Sequence, residues 1–479
     1  MTQNDIEKSN PDFNRRHFIK GASVGSLMLA MGGVPLLAES NTNTADSGET
    51  HYNSEVPPVA CAVIGCGVWG REVLQTLALL PKPDAKIFNA PVVAICDTYQ
   101  AWLNRAKEFA PKAEAFTDYK KVLELKSVEA VIICTPSHLH REITIAALQA
   151  GKHVYCEAPL ANSIEDARAI AQAAKTAVKC NFQAGLQMRS DPVKHDVLKF
   201  IRNGAIGKSL MARSQSHNKQ SWRRTSPNPE REKALNWRLD KTTSLGLIGE
   251  IGIHQIDLMN WFINERPTAV TGFGAIMNWS DGRDVADTIQ SLIQYPGKAN
   301  FMYDATLANS FDGEYDMIYG TFAAVMMRYE AASSSANSKR ESKAWMFKEV
   351  DAPLIGWEIY ASKEQFRHES GLALAAGSTK SVKAGDNLQE SPYAESTLHY
   401  ALKAFVKNCH LVRTGLTDYA ANFGDDPSGL ADYITGLAKS RTAAATYQEG
   451  FEATVTAIIT NKSIVEGKPL EFSKDMFEI

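Results

Sequence analysis

Three glycines with a fixed spacing follow a short apolar run and could bind a diphosphate. Residues 59–64 are apolar, and the pattern G-x-G-x-x-G begins directly after them. The first glycine permits a tight turn, the second lets a pyrophosphate approach the backbone, and the third lets the next helix pack on the strand. The spacing favours a dinucleotide site, and the alternative is an ordinary strand–turn–helix without a ligand. The loop residues expected to contact the ligand are Gly65, Gly67, Val68, Trp69 and Gly70.

An acidic residue ends the next apolar run. Asp97 follows residues 92–96 and lies 27 positions after Gly70, whereas the usual spacing is about 20. We attribute the difference to a longer loop at residues 81–90, which are rich in Pro and Lys. A carboxylate here would accept hydrogen bonds from the adenosine ribose and repel a 2′-phosphate, so the sequence predicts NAD rather than NADP. No Arg or Lys follows before Arg105, and the alternative role of Asp97 is to cap the following helix.

A glutamate and a histidine lie four residues apart in the second half of the chain. Residues 249–261 are predicted to form one helix, which would place Glu250 and His254 on the same face. An imidazole titrates near neutral pH, so His254 could accept a hydroxyl proton during oxidation of an alcohol and return it during reduction. Glu250 would orient that ring or contact the substrate itself. Without further support, a hydrogen-bonded histidine in a packed helix is the more common situation.

The first half of the chain has the pattern of a parallel sheet that could position the glycine loop. Short apolar runs alternate with helical segments from residue 59 to about residue 182, which predicts a doubly wound Rossmann sheet of the α/β class. Ligands of such sheets bind at the carboxyl ends of the strands. The strands predicted at 130–135 and 153–157 end at such positions. A helix at 163–176 is predicted to be capped by Ser163.

The pattern changes after residue 182 and predicts a second, α+β domain with a mainly antiparallel sheet. Residues 331–343 and 370–390 are predicted to be surface excursions, and helices are expected at 396–412 and 450–464. The second of these helices is expected to pack back on the first domain. The strands of this domain are predicted at 210–215, 269–276, 287–295, 298–305 and 321–329.

Several further segments together resemble the Gfo/Idh/MocA oxidoreductases. They are TPSHLH at 135–140, ALQAGKHV at 147–154 and CEAPL at 156–160, and they follow the glycine loop. Downstream segments at 203–208, 237–240 and 249–257 also fit this family. The family pairs a nucleotide-binding Rossmann domain with an open-faced sheet domain, so the resemblance implies both for nearly all of the chain after the linker.

The resemblance also implies roles for individual residues. It places Glu157 at the ribose or nicotinamide and makes His254 the catalytic acid/base, with Glu250 where the family usually has Asp. It departs from the family at Ala158, where a lysine near the reacting hydroxyl is usual. His140 is expected either at the cofactor or as a packing residue at a helix start. The residues that would line the nicotinamide ribose are Thr135, Pro136, Ser137 and His140.

Aromatic and arginine side chains suit a carbohydrate substrate. Sugar rings stack through their C–H faces and hydrogen-bond through their hydroxyls, so neighbouring Trp and Arg side chains could bind one. The alternative is a solvated basic loop, to which Arg223 would also belong, with tryptophans in the core. The substrate-binding candidates are Arg189, Trp222, Trp237 and Arg238.

The N-terminal residues resemble a twin-arginine export signal. Arg15 and Arg16 precede Phe18, Lys20 and a weakly apolar run that contains glycines. The expected organisation is a signal at 1–38, a flexible linker at 39–56, a Rossmann NAD-binding domain at 57–182 and a substrate and oligomerisation domain at 183–479. This predicts a periplasmic or otherwise exported bacterial protein that meets the twin-arginine translocase during export, as with the exported glucose–fructose oxidoreductase of the family. The alternative is a basic tail beside a membrane anchor.

These features lead to one main functional hypothesis and two alternatives. The main one is an exported NAD(P)-dependent oxidoreductase that acts on a sugar or glycoside hydroxyl, with C3 considered, and recycles a tightly held cofactor. The alternatives are an NAD-dependent redox-assisted glycosidase and a non-catalytic sugar-binding protein. A net charge of −3 gives no electrostatic footprint for nucleic acid. No metal site is predicted, and a homodimer or homotetramer is the oligomer considered.

Overall fold

We analysed a computed structural model, which describes residues 58–80, 89–331, 340–353, 363–366, 369–373, 395–424 and 426–479. All of these residues belong to one compact unit at 55–479. The predicted signal at 1–38 and linker at 39–56 lie outside the described residues. None of the helices in the described ranges is long and apolar enough to cross a membrane.

The first sheet is the predicted doubly wound parallel sheet. Its six strands lie in the order β3-β2-β1-β4-β5-β6, and every neighbouring pair is parallel. The strand order reverses between β1 and β4, which is where ligands of such sheets bind. The six strands are β1 Cys61–Ile64, β2 Val92–Cys96, β3 Glu114–Phe116, β4 Ala130–Ile133, β5 His153–Cys156 and β6 Phe182–Ala184.

Helices connect these strands and follow the predicted pattern closely. Ser163 caps the last of them by accepting a hydrogen bond from the Asp166 amide, as the sequence predicted. The first helix begins at Val68, directly after Gly67 of the glycine loop. The five helices are α1 Val68–Leu79, α2 Gln100–Ala106, α3 Tyr119–Glu124, α4 His140–Gln149 and α5 Ile164–Thr176.

The second sheet is mixed but mainly antiparallel, and ten of its strands lie in the described ranges. Their order is β14-β15-β13-β12-β11-β7-β10-β9-β8-β16, with β7 and β10 parallel. Residues along β9 alternate between buried and exposed, so one face of the sheet packs on the core and the other is open. The strands are β7 Ser209–His217, β8 Ala269–Ala275, β9 Thr288–Gln294, β10 Asn300–Thr306, β11 Glu314–Gly320, β12 Ala323–Ala331, β13 Arg340–Lys348, β14 Lys363–Phe366, β15 Glu369–Ala373 and β16 Leu470–Glu471.

The sequence predictions for this sheet were incomplete. The surface excursion predicted at 331–343 is wrong at both ends. Its first residue belongs to β12, which extends to Ala331, and its last residues belong to β13, which begins at Arg340. The first residues of β13 are polar or charged, so the sequence did not reveal a strand there. Later residues of β13, such as Met346, are buried in the core. β15 likewise occupies the start of the excursion predicted at 370–390, and the rest of that segment lies outside the described residues. β11 was missed because only one of its three buried positions, Ile318, holds a large apolar residue, while the other two hold Asp316 and Gly320.

Two helices late in the chain pack on the first sheet. The amide of Leu160, after β5, donates to Thr454 Oγ1 on the last helix, which confirms the predicted packing. The other helix covers the opposite side of the sheet, where Phe405 meets Tyr155 edge to face. The helices of this half are α6 Pro192–Arg202, α7 Pro229–Leu235, α8 Gly246–Glu250, α9 Ile253–Ile263, α10 Thr397–Phe423, α11 Leu430–Gly436 and α12 Tyr447–Glu466.

Candidate active site

A cavity of about 1270 Å³ lies at the carboxyl ends of the strands of the first sheet. Typical small-molecule pockets have ~300–1,000 Å³, so this one has room for a dinucleotide and a small substrate together. Gly70 and Arg189 are the two site candidates that do not line it. The candidates that do are Gly65, Gly67, Val68, Trp69, Asp97, Thr135, Pro136, Ser137, His140, Glu157, Trp222, Trp237, Arg238, Glu250 and His254.

Each of the three loop positions has a glycine for a different structural reason. Gly65 has φ +94°, and a Cβ there would lie 2.7 Å from the Cys134 carbonyl carbon. A Cβ on Gly70 would collide with the Gly65 carbonyl oxygen. A Cβ on Gly67 would meet nothing within 4 Å. Gly65 and Gly70 are therefore required by packing, while Gly67 borders open space where a diphosphate could approach the backbone.

The start of α1 offers amide donors to such a diphosphate. Gly67 precedes the helix, and no side chain caps its first amides. Uncapped amides at a helix N-terminus attract anions, and the helix dipole adds a partial positive charge there. Together with the open space at Gly67, this arrangement fits the pyrophosphate of a nicotinamide dinucleotide.

Asp97 is held in place by the backbone. Its two carboxylate oxygens accept hydrogen bonds from the amides of Cys66 and Tyr99, each at 2.8 Å. Burial raises the pKa of this carboxyl above its ordinary value, while the two amides and Arg231 oppose the rise. The hydrogen bond from the Tyr99 amide corresponds to the helix-capping role that the sequence analysis considered for Asp97. Because the carboxylate also lines the cavity, its remaining lone pairs can accept ribose hydroxyls.

The residues after β4 divide into cavity-facing and structural groups. The buried Thr135 Oγ1 has no hydrogen-bond partner among the described residues, which suits a ribose hydroxyl. Ser137 donates instead to Glu250 Oε1 at 3.2 Å. The ring nitrogens of His140 lie 2.9 Å from the Pro159 carbonyl oxygen and 2.8 Å from that of Thr135. The imidazole of His140 thus connects two backbone segments. This is the packing role that the sequence analysis considered as the alternative to contact with the cofactor.

Glu157 connects the end of β5 to the glycine loop. Its side chain is buried, and Oε1 accepts a hydrogen bond of 2.7 Å from Trp69 Nε1. Burial raises the pKa of Glu157 to about 7. The next residue, Ala158, also lines the cavity and brings only a methyl group to the position where the family usually has an ammonium.

The single helix predicted at 249–261 is wrong. α8 ends at Glu250 and α9 begins at Ile253. The segment between them packs closely, since a Cβ on Gly252 would lie 2.8 Å from Tyr303 Cε1. Glu250 and His254 nevertheless line the same cavity, so tertiary packing brings them together instead of one helix face.

Glu250 is the centre of a buried polar network. Its side chain is 4% exposed and accepts hydrogen bonds from Ser137 and from Ser244 Oγ, the latter at 3.3 Å. Arg238 Nε lies 3.5 Å from its Oε2. Burial raises the pKa of Glu250, and the guanidinium of Arg238 and the two serines oppose that rise. None of these partners is His254, so the carboxylate holds Arg238 in place rather than the imidazole.

His254 has an accessible and unprotonated ring. No hydrogen bond or ion pair to this ring occurs within the part of the chain that the structure describes. Burial lowers the pKa of His254 to about 4. The imidazole is therefore neutral at neutral pH, and it lines the cavity in which a proton donor could bind.

The substrate candidates separate into two groups. Trp237 and Arg238 line the cavity together, with the guanidinium carbon 4.6 Å from the indole centroid. Trp222 also lines it, whereas Arg223 is exposed and donates to the Asp281 carbonyl outside it.

Arg189 lies apart from these residues in an ion pair. It binds Asp257 in a bidentate arrangement with a shortest distance of 2.8 Å. Because Asp257 on α9 is buried, it requires a cationic partner, and the guanidinium of Arg189 is committed to that role.

Sequence reasoning missed several polar residues that line the cavity, among them Arg231 and Gln255. Arg231 on α7 approaches Asp97, and Gln255 on α9 donates to Glu314 Oε1 at 2.8 Å. Gln255 directly follows His254 in the segment 249–257, so that motif could have indicated it. Arg231 lies outside every segment singled out in the sequence, so only the folded chain reveals it. In the described ranges, no group of three or more His, Cys, Asp or Glu side chains could hold a metal ion.

Family comparisons agree with this geometry. Residues 59–185 match the oxidoreductase family with an NAD-binding Rossmann fold, and residues 195–326 match the GFO/IDH/MocA C-terminal domain. The two matches together span more than half of the chain. The chain belongs to the Gfo/Idh/MocA family.

Curated relatives of this family member match part of its length. The levoglucosan dehydrogenase of Pseudarthrobacter phenanthrenivorans is 29% identical over 237 residues, which cover 45% of this chain and 59% of the relative. The inositol 2-dehydrogenase of Salmonella typhimurium is 30% identical over 204 residues, which cover 42% of this chain and 54% of the relative. The matched region thus spans little more than half of these relatives.

Solved structures of other proteins share the fold of this family member. Levoglucosan dehydrogenase in complex with NADH and levoglucosan superposes with a TM-score of 0.61 and 20% identity, covering 87% of this chain and 99% of that one. The aldose–aldose oxidoreductase of Caulobacter crescentus, complexed with glycerol, gives a TM-score of 0.59 and 17% identity, with 87% and 100% covered. At these identities the likeness establishes the two-part architecture.

Proposed function

We propose that this protein is an NAD(P)-dependent oxidoreductase that acts on a hydroxyl of a sugar or glycoside. The observation that carries the proposal is the position of His254. A neutral imidazole without a partner faces the same cavity as the open backbone at Gly67 and the carboxylate of Asp97. Nucleotide-binding and proton-accepting groups therefore meet in one space.

Different residues of the chain would have different roles in such a reaction. Gly67 and the start of α1 would bind the pyrophosphate, Asp97 the adenosine ribose, and Thr135 the nicotinamide ribose. The bound nicotinamide supplies the hydride acceptor or donor. A ring nitrogen of His254 takes the hydroxyl proton when the alcohol carbon is oxidised, and returns it in the reverse direction.

Arg238 and Glu250 would orient the substrate. Arg238 is 45% exposed along the cavity and pairs with the buried Glu250, so the carboxylate fixes the direction of the guanidinium. Planar guanidinium donors hydrogen-bond sugar hydroxyls, and the neighbouring indole of Trp237 can stack on the C–H face of a ring. The relatives named for levoglucosan and inositol support a cyclic polyol, and C3 of a sugar is the position we propose for oxidation.

We further propose that the protein is exported and retains its cofactor. The twin arginines at Arg15 and Arg16 support export of a folded, nucleotide-loaded protein through the twin-arginine translocase. Free NAD is scarce outside the cytoplasm, so turnover there requires recycling of a bound cofactor between two half-reactions. The location would be the periplasm or another exported site.

Ala158 favours a second candidate function, a redox-assisted glycosidase. Without the ammonium usual at this position, ordinary lysine-assisted dehydrogenation loses one polarising group. In the alternative reaction, oxidation at C3 acidifies the C2 hydrogen, the glycosidic substituent leaves by elimination, water adds to the resulting enone, and the ketone is reduced again. The cofactor returns to its starting state, and the net reaction is hydrolysis.

Nucleotide identification and product analysis test these proposals. The purified full chain is denatured, and any released nucleotide is identified by mass; NAD(H) or NADP(H) is expected. A panel of sugars and glycosides then separates the two functions. A ketosugar with net cofactor reduction supports the dehydrogenase, and a released aglycone without net redox change supports the glycosidase. Sugar binding without turnover of any panel member would instead favour a binding protein.

A further inference from the structure

An arginine from the second half of the chain reaches the adenosine end of the cavity. Arg231 lies on α7, and its Nη2 is 3.9 Å from Asp97 Oδ1. Its guanidinium carbon lies 4.1 Å from the centroid of the Tyr99 ring, so the planar group stacks on an aromatic side chain of the β2–α2 loop. The side chain is 19% exposed and lines the cavity. Its position is therefore fixed next to the carboxylate expected to bind the ribose.

The guanidinium of Arg231 has an unused donor. Its Nε is buried and has no hydrogen-bond partner among the residues that the structure describes. A buried donor without an acceptor is unfavourable. A ligand oxygen in the cavity would supply the missing acceptor.

The charges around Asp97 favour an anion more than the sequence indicated. Arg71 also lies close to the glycine loop, where its Nη1 donates to the Cys66 carbonyl at 3.1 Å and its guanidinium stacks on Trp102 at 4.3 Å. Arg71 and Arg231 both attract the Asp97 carboxylate. Two guanidinium groups therefore lie close enough to Asp97 to offset its charge.

Three further carboxylates on or next to α3, α4 and α7 line the cavity, those of Asp118, Glu142 and Glu230. Glu142 Oε1 accepts a hydrogen bond of 2.5 Å from the Tyr119 hydroxyl and lies 3.9 Å from Lys120 Nζ. Asp118 lines the cavity, but its Oδ1 accepts the Lys120 amide at the start of α3. Glu230 is exposed to solvent, where its charge is screened.

We propose that Arg231 is a cofactor-specificity residue, which offsets Asp97 and lets the adenosine end accept a 2′-phosphate, so that the protein binds NADP as well as NAD. Guanidinium groups bind phosphate oxygens with parallel, charge-assisted hydrogen bonds. The inference rests on the proposed function, because it requires that the cavity binds a nicotinamide dinucleotide. It reverses the preference expected from the sequence, in which Asp97 alone would repel the phosphate.

Calorimetric titration of the full chain with NAD⁺ and with NADP⁺ tests the inference. We expect the two dissociation constants of the unmodified protein to agree within about tenfold. Arg231→Gln should weaken NADP⁺ binding at least about tenfold and NAD⁺ binding by less than about threefold, because only the phosphate loses its charged partner. Arg231→Lys keeps the charge without the planar fork, so it should retain part of the NADP⁺ affinity.

Arg202→Gln is the matched control, since it removes the same charge at the end of α6, outside the cavity. It should leave both dissociation constants unchanged. Three outcomes would overturn the inference: binding of NAD⁺ without NADP⁺, equal weakening of both by Arg231→Gln, or equal weakening by Arg202→Gln. Failure of the unmodified protein to bind either dinucleotide would overturn the proposed function together with the inference.

Discussion

The two ends of the cavity are built in different ways. The adenosine end comes largely from residues 64–99, and its groups are fixed by nearby backbone, as the bonds from Cys66 and Tyr99 to Asp97 show. The reacting end joins Ser137 of the first sheet to Glu250 and His254 of the second half. The groups proposed to bind the adenosine are thus set by local geometry, whereas those proposed to transfer the proton depend on how the two halves pack.

Replacement of His254 should have the largest effect on activity, and this effect should be confined to the reacting end of the cavity. His254→Ala removes the proton acceptor, so we expect kcat to fall by ~10²–10⁴. The affinity for the dinucleotide, measured by titration, should stay the same because the adenosine end is untouched. His217→Ala is the matched control, since His217 pairs with Asp304 outside the cavity. Unchanged turnover of His254→Ala would remove His254 from the mechanism.

Replacement of Glu157 should change stability in a pH-dependent way. The folded-state pKa of about 7 lies above the ordinary value of 4.5, so the folded protein binds this proton more tightly than the unfolded chain. Stability is therefore lost as the pH rises from about 4.5 to about 7.

The neutral amide of Glu157→Gln avoids this loss and can still accept the Trp69 hydrogen bond. At pH 8.5 we expect its free energy of unfolding to exceed that of the unmodified protein by up to about 3 kcal/mol. At pH 4 the difference should disappear. Denaturant unfolding at both values measures this, and a gain of equal size at pH 4 would contradict the burial of an ionised carboxylate.

Two glycine replacements should separate binding from folding at the adenosine end. Gly67→Val places its side chain in open space, so the protein should fold normally and lose roughly tenfold or more in dinucleotide affinity. Gly65→Ala should lower the melting temperature instead, because its φ is positive and its Cβ meets the Cys134 backbone. Thermal unfolding and titration of both variants measure the difference. Equal dinucleotide affinity of Gly67→Val and the unmodified protein would place the diphosphate elsewhere.

Removal of the Ser137 hydroxyl should have the smallest effect on activity. Ser137→Ala takes one of the hydrogen bonds from Glu250 and leaves those from Ser244 and Arg238. A loss of about 1 kcal/mol corresponds to a fall of roughly fivefold in kcat/KM. Ser226→Ala, a change outside the cavity, should have no effect on kcat/KM. An unchanged kcat/KM for Ser137→Ala would show that this contact between the two halves of the chain does not matter for turnover.

The sequence was a good guide where one short segment makes one structure. The glycine turn, the strand that ends before Asp97 and the cap at Ser163 involve neighbours along the chain, so spacing alone predicted them. Predictions failed where distant residues decide the outcome. The break between Glu250 and Ile253 follows from packing near Tyr303, and Arg189 lies with Asp257 because a buried carboxylate needs a cation.

By itself, the sequence determined the parallel sheet, the loop that could bind a diphosphate and the family. These depend on apolar periodicity and on glycine conformations, which act over a few residues. Only the tertiary structure decided that His254 lines the same cavity as the glycine loop and that Arg231 lies beside Asp97. Burial and charge proximity are properties of the folded surroundings, because they arise when segments more than a hundred residues apart exclude water from the same space.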